Sequence, residues 1–233
     1  MRQMMAPRGS VKAAKLVGGL ACALAAAGCQ TARTGARPAP RVLVGPAQVS
    51  VEPRWRSILQ PDDVSRLDRL PDAWTQALAA ARASRFSRSL AAEGALLRPD
   101  AGLPRAQLPP GSYRCRTITI APAASSRASY RVEQPQFCHV GVEAELLSFT
   151  KQTGSRRPGG YLYEAGDARS VFIGASATGR RAVPPPYNSV PGENVAGIVE
   201  RVGPFRYRLV VPWPRGGGII EVVELIPAAA QSE

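Results

Sequence analysis

From Gly111 onward the chain changes period. Short runs of alternating apolar and polar residues follow one another over 112–120, 129–133, 136–143, 146–152, 160–164, 169–175, 196–202, 205–211 and 219–226, with turn-forming residues between them. A period of two, interrupted at short intervals by Gly, Pro, Asn or Asp, marks antiparallel strands that turn one face to a core. Ala165-Gly166-Asp167-Ala168, Gly203-Pro204 and Arg215-Gly216-Gly217-Gly218 have hairpin chemistry. The cleanest alternation lies in 205–211, where Phe205, Tyr207, Leu209 and Val211 share one face and Arg206 and Arg208 the other. Eight or nine such strands predict a mainly β domain, an antiparallel barrel whose closure removes exposed edges. Residues 180–194, with Pro184-Pro185-Pro186, are expected to form a long surface loop.

Ahead of the strands, residues 53–102 have a helical period. Asp62 or Asp63 is placed to cap a first helix with Val64, Leu67 and Leu70 on one face. A second helix is expected to start at Asp72 after Pro71, to carry Trp74, Leu78 and Ala81 on its buried stripe, and to run toward Glu93 before Gly94. Pro104, Pro109 and Pro110 mark the passage from this short helical segment to the barrel, expected over 103–227 with a tail at 228–233.

The first thirty residues carry an address. Arg2, Arg8, Lys12 and Lys15 precede an apolar stretch at 16–24, and Ala26-Ala27-Gly28 leads into Cys29. This is the pattern of a bacterial lipoprotein signal peptide, 1–28, cleaved before a cysteine that takes the lipid. The apolar stretch is too short to span a bilayer as a mature helix. Gln30 follows where an aspartate is absent, and by likeness to bacterial lipoproteins this favours the periplasmic face of the outer membrane, with a soluble periplasmic protein as the alternative. Residues 29–52, rich in Pro, Gly, Ala and Arg, read as a flexible tether. Cleavage removes four cations and no acids, so the formal charge falls from +13 to about +9. A basic surface suits an anionic envelope component. The exported address argues against nucleic acid. Lys151 is the only lysine after position 28 in an Arg-, Ala- and Pro-rich chain, so part of this charge is compositional.

Cysteine usage fits export. Cys22 leaves with the signal and Cys29 is the lipidation site, which leaves Cys115 and Cys138 as an even pair expected to form a disulfide between the first and third strands. His139 is the only histidine, so any Ser-His-Asp or Cys-His device would rest on it. Its neighbour Cys138 points to the opposite strand face, and no further ligand cluster accompanies them. The chain has no nucleophile elbow, Walker loop, dinucleotide fingerprint or H-E-x-x-H. No catalysis, cofactor or metal is therefore expected. The nearest carboxylate pairs are Glu143 with Glu145, on one face if their strand continues, and Glu221 with Glu224, on opposite faces. The most distinctive run is 149–163, whose turn gathers Lys151, Arg156 and Arg157 beside Phe149, Tyr161 and Tyr163. With Arg206 and Arg208, these cations are the candidate anion-binding surface.

A family resemblance rests on several of these segments. Pro109-Pro110-Gly111-Ser112-Tyr113-Arg114-Cys115-Arg116, Phe137-Cys138, the run 149–163, Val171-Phe172-Ile173-Gly174, Ala196-Gly197-Ile198-Val199-Glu200-Arg201-Val202-Gly203, Arg208-Leu209-Val210-Val211-Pro212-Trp213-Pro214 and Val223-Glu224-Leu225-Ile226-Pro227 resemble the domain-of-unknown-function 4893 family of exported proteobacterial proteins, over about residues 55–227. The resemblance implies an exported protein with no assigned activity and transfers no catalytic residue. In architecture, a disulfide-tied periplasmic barrel is similar to lipocalin-like and metalloprotease-inhibitor barrels, and a fold of that kind hosts many functions. The sequence thus predicts a membrane-anchored binding or interaction module for an anionic envelope component or a small ligand. A barrel-type protease inhibitor and a carboxylate-based envelope glycan hydrolase are the alternatives.

Overall fold

The computed structural model describes residues 53–83, 85–122, 130–179 and 183–228; the expected signal peptide, Cys29, the expected tether and most of the expected tail lie outside the described residues. Helices occupy Arg54–Ile58 (α1), Pro61–Asp68 (α2), Leu70–Arg82 (α3) and Ser87–Ala92 (α4), followed by a 3-10 turn at Gly94–Leu97. α2 begins on Pro61, whose missing N–H costs nothing at a helix start, with Asp62 and Asp63 in its first turn against the positive helix end. Those aspartates lie within the helix, and Gln60 occupies the capping position without a side-chain bond. The second expected helix is broken. α3 ends at Arg82 because its stripe of Ala73, Trp74, Ala77, Leu78 and Ala81 is exhausted there. Beyond it Phe86 packs on the Tyr130 ring, centroids 5.6 Å apart.

Nine strands follow: Gly111–Ile120 (β1), Tyr130–Val132 (β2), Gln136–Glu143 (β3), Leu146–Lys151 (β4), Arg156–Glu164 (β5), Ser170–Thr178 (β6), Asn194–Gly203 (β7), Arg206–Pro212 (β8) and Ile220–Pro227 (β9). β3 to β9 pair in sequence order, and β1 closes the circle by pairing with both β3 and β9, giving an eight-stranded antiparallel barrel. The extra strand, β2, pairs with the second half of β1, beside Ile118–Ile120, while β3 pairs with the first half. One side of β1 is therefore covered by two pieces separated at Gln134-Pro135, where proline cannot donate to the ladder.

Alternation sorts the strand residues into two cores. Tyr113, Cys115, Cys138, Val140, Phe149, Leu162, Phe172, Val199, Tyr207, Leu209, Val223 and Leu225 fill the barrel interior, with Phe149 edge-on to Phe172 at 5.6 Å. Ile118, Ile120, Val171, Ile173, Ala196, Ile198, Val210, Ile220 and Val222 face outward and take the helical segment through Trp55, Leu67, Leu70, Trp74, Leu78, Leu96 and Leu97. The helices thus sit on the outer wall, and β6 to β9 are buried on both faces. The Cys115–Cys138 disulfide forms between β1 and β3, Cα atoms 6.0 Å apart, inside the barrel.

Candidate functional site

The five cations singled out as an anion-binding surface do not come together. β5 begins at Arg156, so the turn shrinks to residues 152–155, and its cations belong to strands whose faces assign them different fates. Lys151 points into the barrel, 3% exposed, and its ammonium donates to Thr117 Oγ1 at 2.9 Å and Glu133 Oε2 at 3.1 Å. Arg157 donates to the carbonyl of Gly154 at 2.7 Å. Arg206 is paired with Glu224 at 2.6 Å.

Arg208 is 0% exposed beneath the helical segment. Its Nη2 meets Glu200 Oε2 at 2.6 Å, and its guanidinium donates to the carbonyls of Leu96 at 2.9 Å, Arg98 at 2.8 Å and Pro99 at 3.1 Å, with the Trp74 ring 5.0 Å away. Burial lowers its pKa, an effect Glu200 only partly offsets. A planar fork of donors is suited to gathering the free carbonyls at the end of a 3-10 turn. Arg208 is a fastener between barrel and helices, with no face left for a ligand. Arg116 does similar work nearby: burial opposes its charge, yet bonds to Glu93 and Glu224 outweigh this and raise its pKa.

At the end of the barrel where the β4–β5 turn lies, the interior turns polar. Thr117, Thr119, Lys151, Ser176 and Asn194 are buried there, and burial pushes the Glu221 carboxyl up despite Lys151 and Arg156. The cavity between Arg156, Ser176, Asn194 and Glu221 measures only about 10 Å³, room for one water. The barrel is therefore filled, with an apolar layer and a polar plug.

A concavity of about 880 Å³ lies outside the opposite end, between the β5–β6 and β7–β8 turns and the strap that leads from the helices into β1. Arg105, Gln107, Glu164, Asp167, Ser170, Arg201, Phe205 and Tyr207 line it. The strap is stitched in place: the Leu103 N–H donates to the Arg201 carbonyl at 2.8 Å, Arg201 Nε to the Pro104 carbonyl at 2.8 Å, and the Ala106 N–H to the Asp167 carbonyl at 3.0 Å. Arg105 has φ 60, a left-handed conformation, and its N–H reaches Asp167 Oδ1 at 3.2 Å. Gln107 Nε2 donates to Glu164 Oε1 at 3.2 Å. Among the described residues, neither Arg105 nor Arg201 forms an ion pair with a carboxylate. Phe205, 74% exposed, stands on the rim. The arrangement offers two guanidinium groups, two carboxylates and an aromatic face to a polar ligand. Sequence reasoning missed it because a proline-rich strap has no period, and only the Gly203-Pro204 turn beside Arg201 hinted at this end.

His139 is exposed on the outer face of β3, opposite the interior Cys138. Glu145 falls in the tight β3–β4 turn after Ala144, whose φ is 53, so it does not continue the strand face of Glu143. Glu221 faces inward and Glu224 outward, where it holds Arg116 and Arg206. Among the described residues there is no group of three or more His, Cys, Asp or Glu placed to hold a metal ion. No described helix is long and apolar enough to cross a membrane. The family model described as a domain of unknown function (DUF4893) matches residues 55–225. No curated protein and no solved structure matches the chain.

Proposed function

The chain belongs to the DUF4893 family, and from that premise we propose that it is a lipid-anchored, non-catalytic binding module on the periplasmic face of the outer membrane, which holds an anionic envelope component in the cleft beside the barrel mouth. The observation that carries this reading is the pair Arg105 and Arg201 in the concavity of about 880 Å³, unpaired with any described carboxylate, next to a barrel whose interior is already full. A filled barrel leaves its rims and walls for recognition. Planar guanidinium groups match carboxylate or phosphate in two-point contacts, and Ser170, Gln107 and the Tyr207 hydroxyl supply partners for hydroxyl groups beside the charge. Cys29 at the end of a tether supports attachment by acyl chains.

The test is co-sedimentation of the acylated protein with peptidoglycan sacculi and with lipopolysaccharide. Binding should weaken as salt rises through physiological strength and fall at least about tenfold in Arg105→Ala/Arg201→Ala. Binding that is salt-independent or unchanged in this variant sinks the reading. Cys29→Ala should no longer fractionate with membranes.

Carboxylate-based glycan cleavage is the competing reading, because Glu164 and Asp167 share the cleft. Release of reducing ends from sacculi that stops in Glu164→Gln or Asp167→Asn would favour it.

A further inference from the structure

A second concavity, about 360 Å³, runs across the outer wall over β4, β5 and β6, at the edge of the helical layer. One wall carries Tyr161 and Tyr163. Two apart on β5, they project from the same face about 6.6 Å from each other along the strand. The opposite wall is Pro184-Pro185-Pro186. Glycine makes the fit possible: a Cβ on Gly159 would come within 2.6 Å of Pro184 Cγ, so the proline segment lies directly on the β5 backbone. Ile58 and Tyr187 line the groove too, and Tyr187 is tied down by its hydroxyl bond to Asp63 and by the Gln60 N–H, which donates to it at 2.9 Å.

We propose that this groove docks a proline-rich peptide of a partner protein that carries an arginine or lysine at one end. β4, β5 and β6 each pair with a strand on both sides, so the groove has no free backbone ladder and an added β-strand has nothing to bond. Its walls are aromatic and proline rings, which suit a ligand that brings ring surface and needs no partner for its own backbone. A polyproline II segment is such a ligand. The Tyr163 hydroxyl, which donates to no acceptor among the described residues, is available to an exposed carbonyl of that segment. Charge decides the rest. Among the described residues Glu143 is the only carboxylate or cationic side chain lining the groove, in a domain that is otherwise basic. Tyr161 donates to its Oε2 at 2.9 Å, and the bonds from Ser148 and Tyr161 hold its pKa below the ordinary carboxylate value. A fixed carboxylate at the end of an apolar groove selects a cation there.

The probe is a fluorescent peptide of repeated Pro-Pro-Ala ending in arginine, titrated into the full chain in detergent and read by anisotropy. Saturable binding is expected, weakened about tenfold by Glu143→Gln and by replacing the peptide's arginine with glutamate, with no further loss when both changes are combined. Glu143 is exposed, so this variant keeps its fold; unchanged thermal melting verifies that. Tyr163→Phe should weaken both peptides alike. Arg105→Ala/Arg201→Ala should bind the peptide normally, which separates this groove from the cleft at the mouth. No saturable binding, equal binding by Glu143→Gln, or displacement of the probe by an N-acetylglucosamine oligomer would overturn the proposal.

Discussion

Replacing Arg208 tests whether one buried cation fastens the helical segment to the barrel. Arg208→Met keeps the length and apolar stem of the side chain and removes every donor. Glu200 is 3% exposed, and it is left with Arg169, whose Nε lies 3.0 Å from Oε1 but whose side chain is largely in solvent. The carbonyls of Leu96, Arg98 and Pro99 lose their partner, and of these the Leu96 carbonyl is in a buried bond. Removing one member of a buried pair costs about 3–5 kcal/mol, and the residual contact with Arg169 argues for the lower half of that range. The orphaned carbonyls add about 1 kcal/mol or more, which returns the total to about 4 kcal/mol. In a domain of this size that lowers the melting temperature by about 8–16 °C. Arg208→Lys retains charge but not the fork and should fall between the two. Denaturant unfolding gives the energy, and hydrogen exchange at residues 94–101 gives its location, since those amides should lose protection before the strands do. A loss under about 1 kcal/mol, or a loss with protection at 94–101 unchanged, refutes the argument.

Glu221→Gln should stabilise the protein at neutral pH. Because burial raises the folded carboxyl's pKa, wild-type stability declines as pH rises above the ordinary carboxylate range, so the variant's advantage should appear above about pH 5 and vanish below about pH 4 in a melting series. A loss of stability at neutral pH would mean that Lys151 and Arg156 depend on its charge. Cys115→Ala/Cys138→Ala should cost about 3 kcal/mol in denaturant unfolding, as expected for a crosslink spanning 23 residues; a change within error would mean that the unfolded chain gains nothing from its release.

All nine strands were legible because alternation and turn chemistry are local, and the disulfide because Cys115 and Cys138 were the two cysteines left once Cys22 and Cys29 had been given to the expected signal. What strand periodicity does not reveal is whether the outer face is itself covered. In 205–211 the alternation separated Tyr207, Leu209 and Val211 from Arg206 and Arg208 correctly, but a cation on the outer face was read as solvated when helices lie over half of that wall. A signal was present. Val171-Phe172-Ile173, Ile198-Val199 and Val222-Val223 are apolar on both faces, the mark of strands buried on two sides, and charged residues among them, Glu200, Arg208 and Glu224, had to be buried as well. Lys151 was misjudged for another reason. It shares the inward face of its strand with Phe149, and the groups that satisfy its ammonium, Thr117 and Glu133, lie far from it in sequence. The cleft at the mouth was invisible because it is assembled from a strap and two hairpin tips that share no pattern.

The seam between β1 and β9 has a consequence for synthesis. Tyr113 lies opposite Pro227 and Ile120 opposite Ile220, so the first strand completes its ladder only with the last one. Pairings this distant along the chain form late, after the entropy of a long loop has been paid in full. Until residues 220–227 arrive, β1 and β8 stand as open edges, and a chain shortened by its final strand retains both. A copy that lacks β9 therefore leaves one edge each of β1 and β8 unpaired and open to proteolysis or aggregation, whereas pairing with β9 seals both.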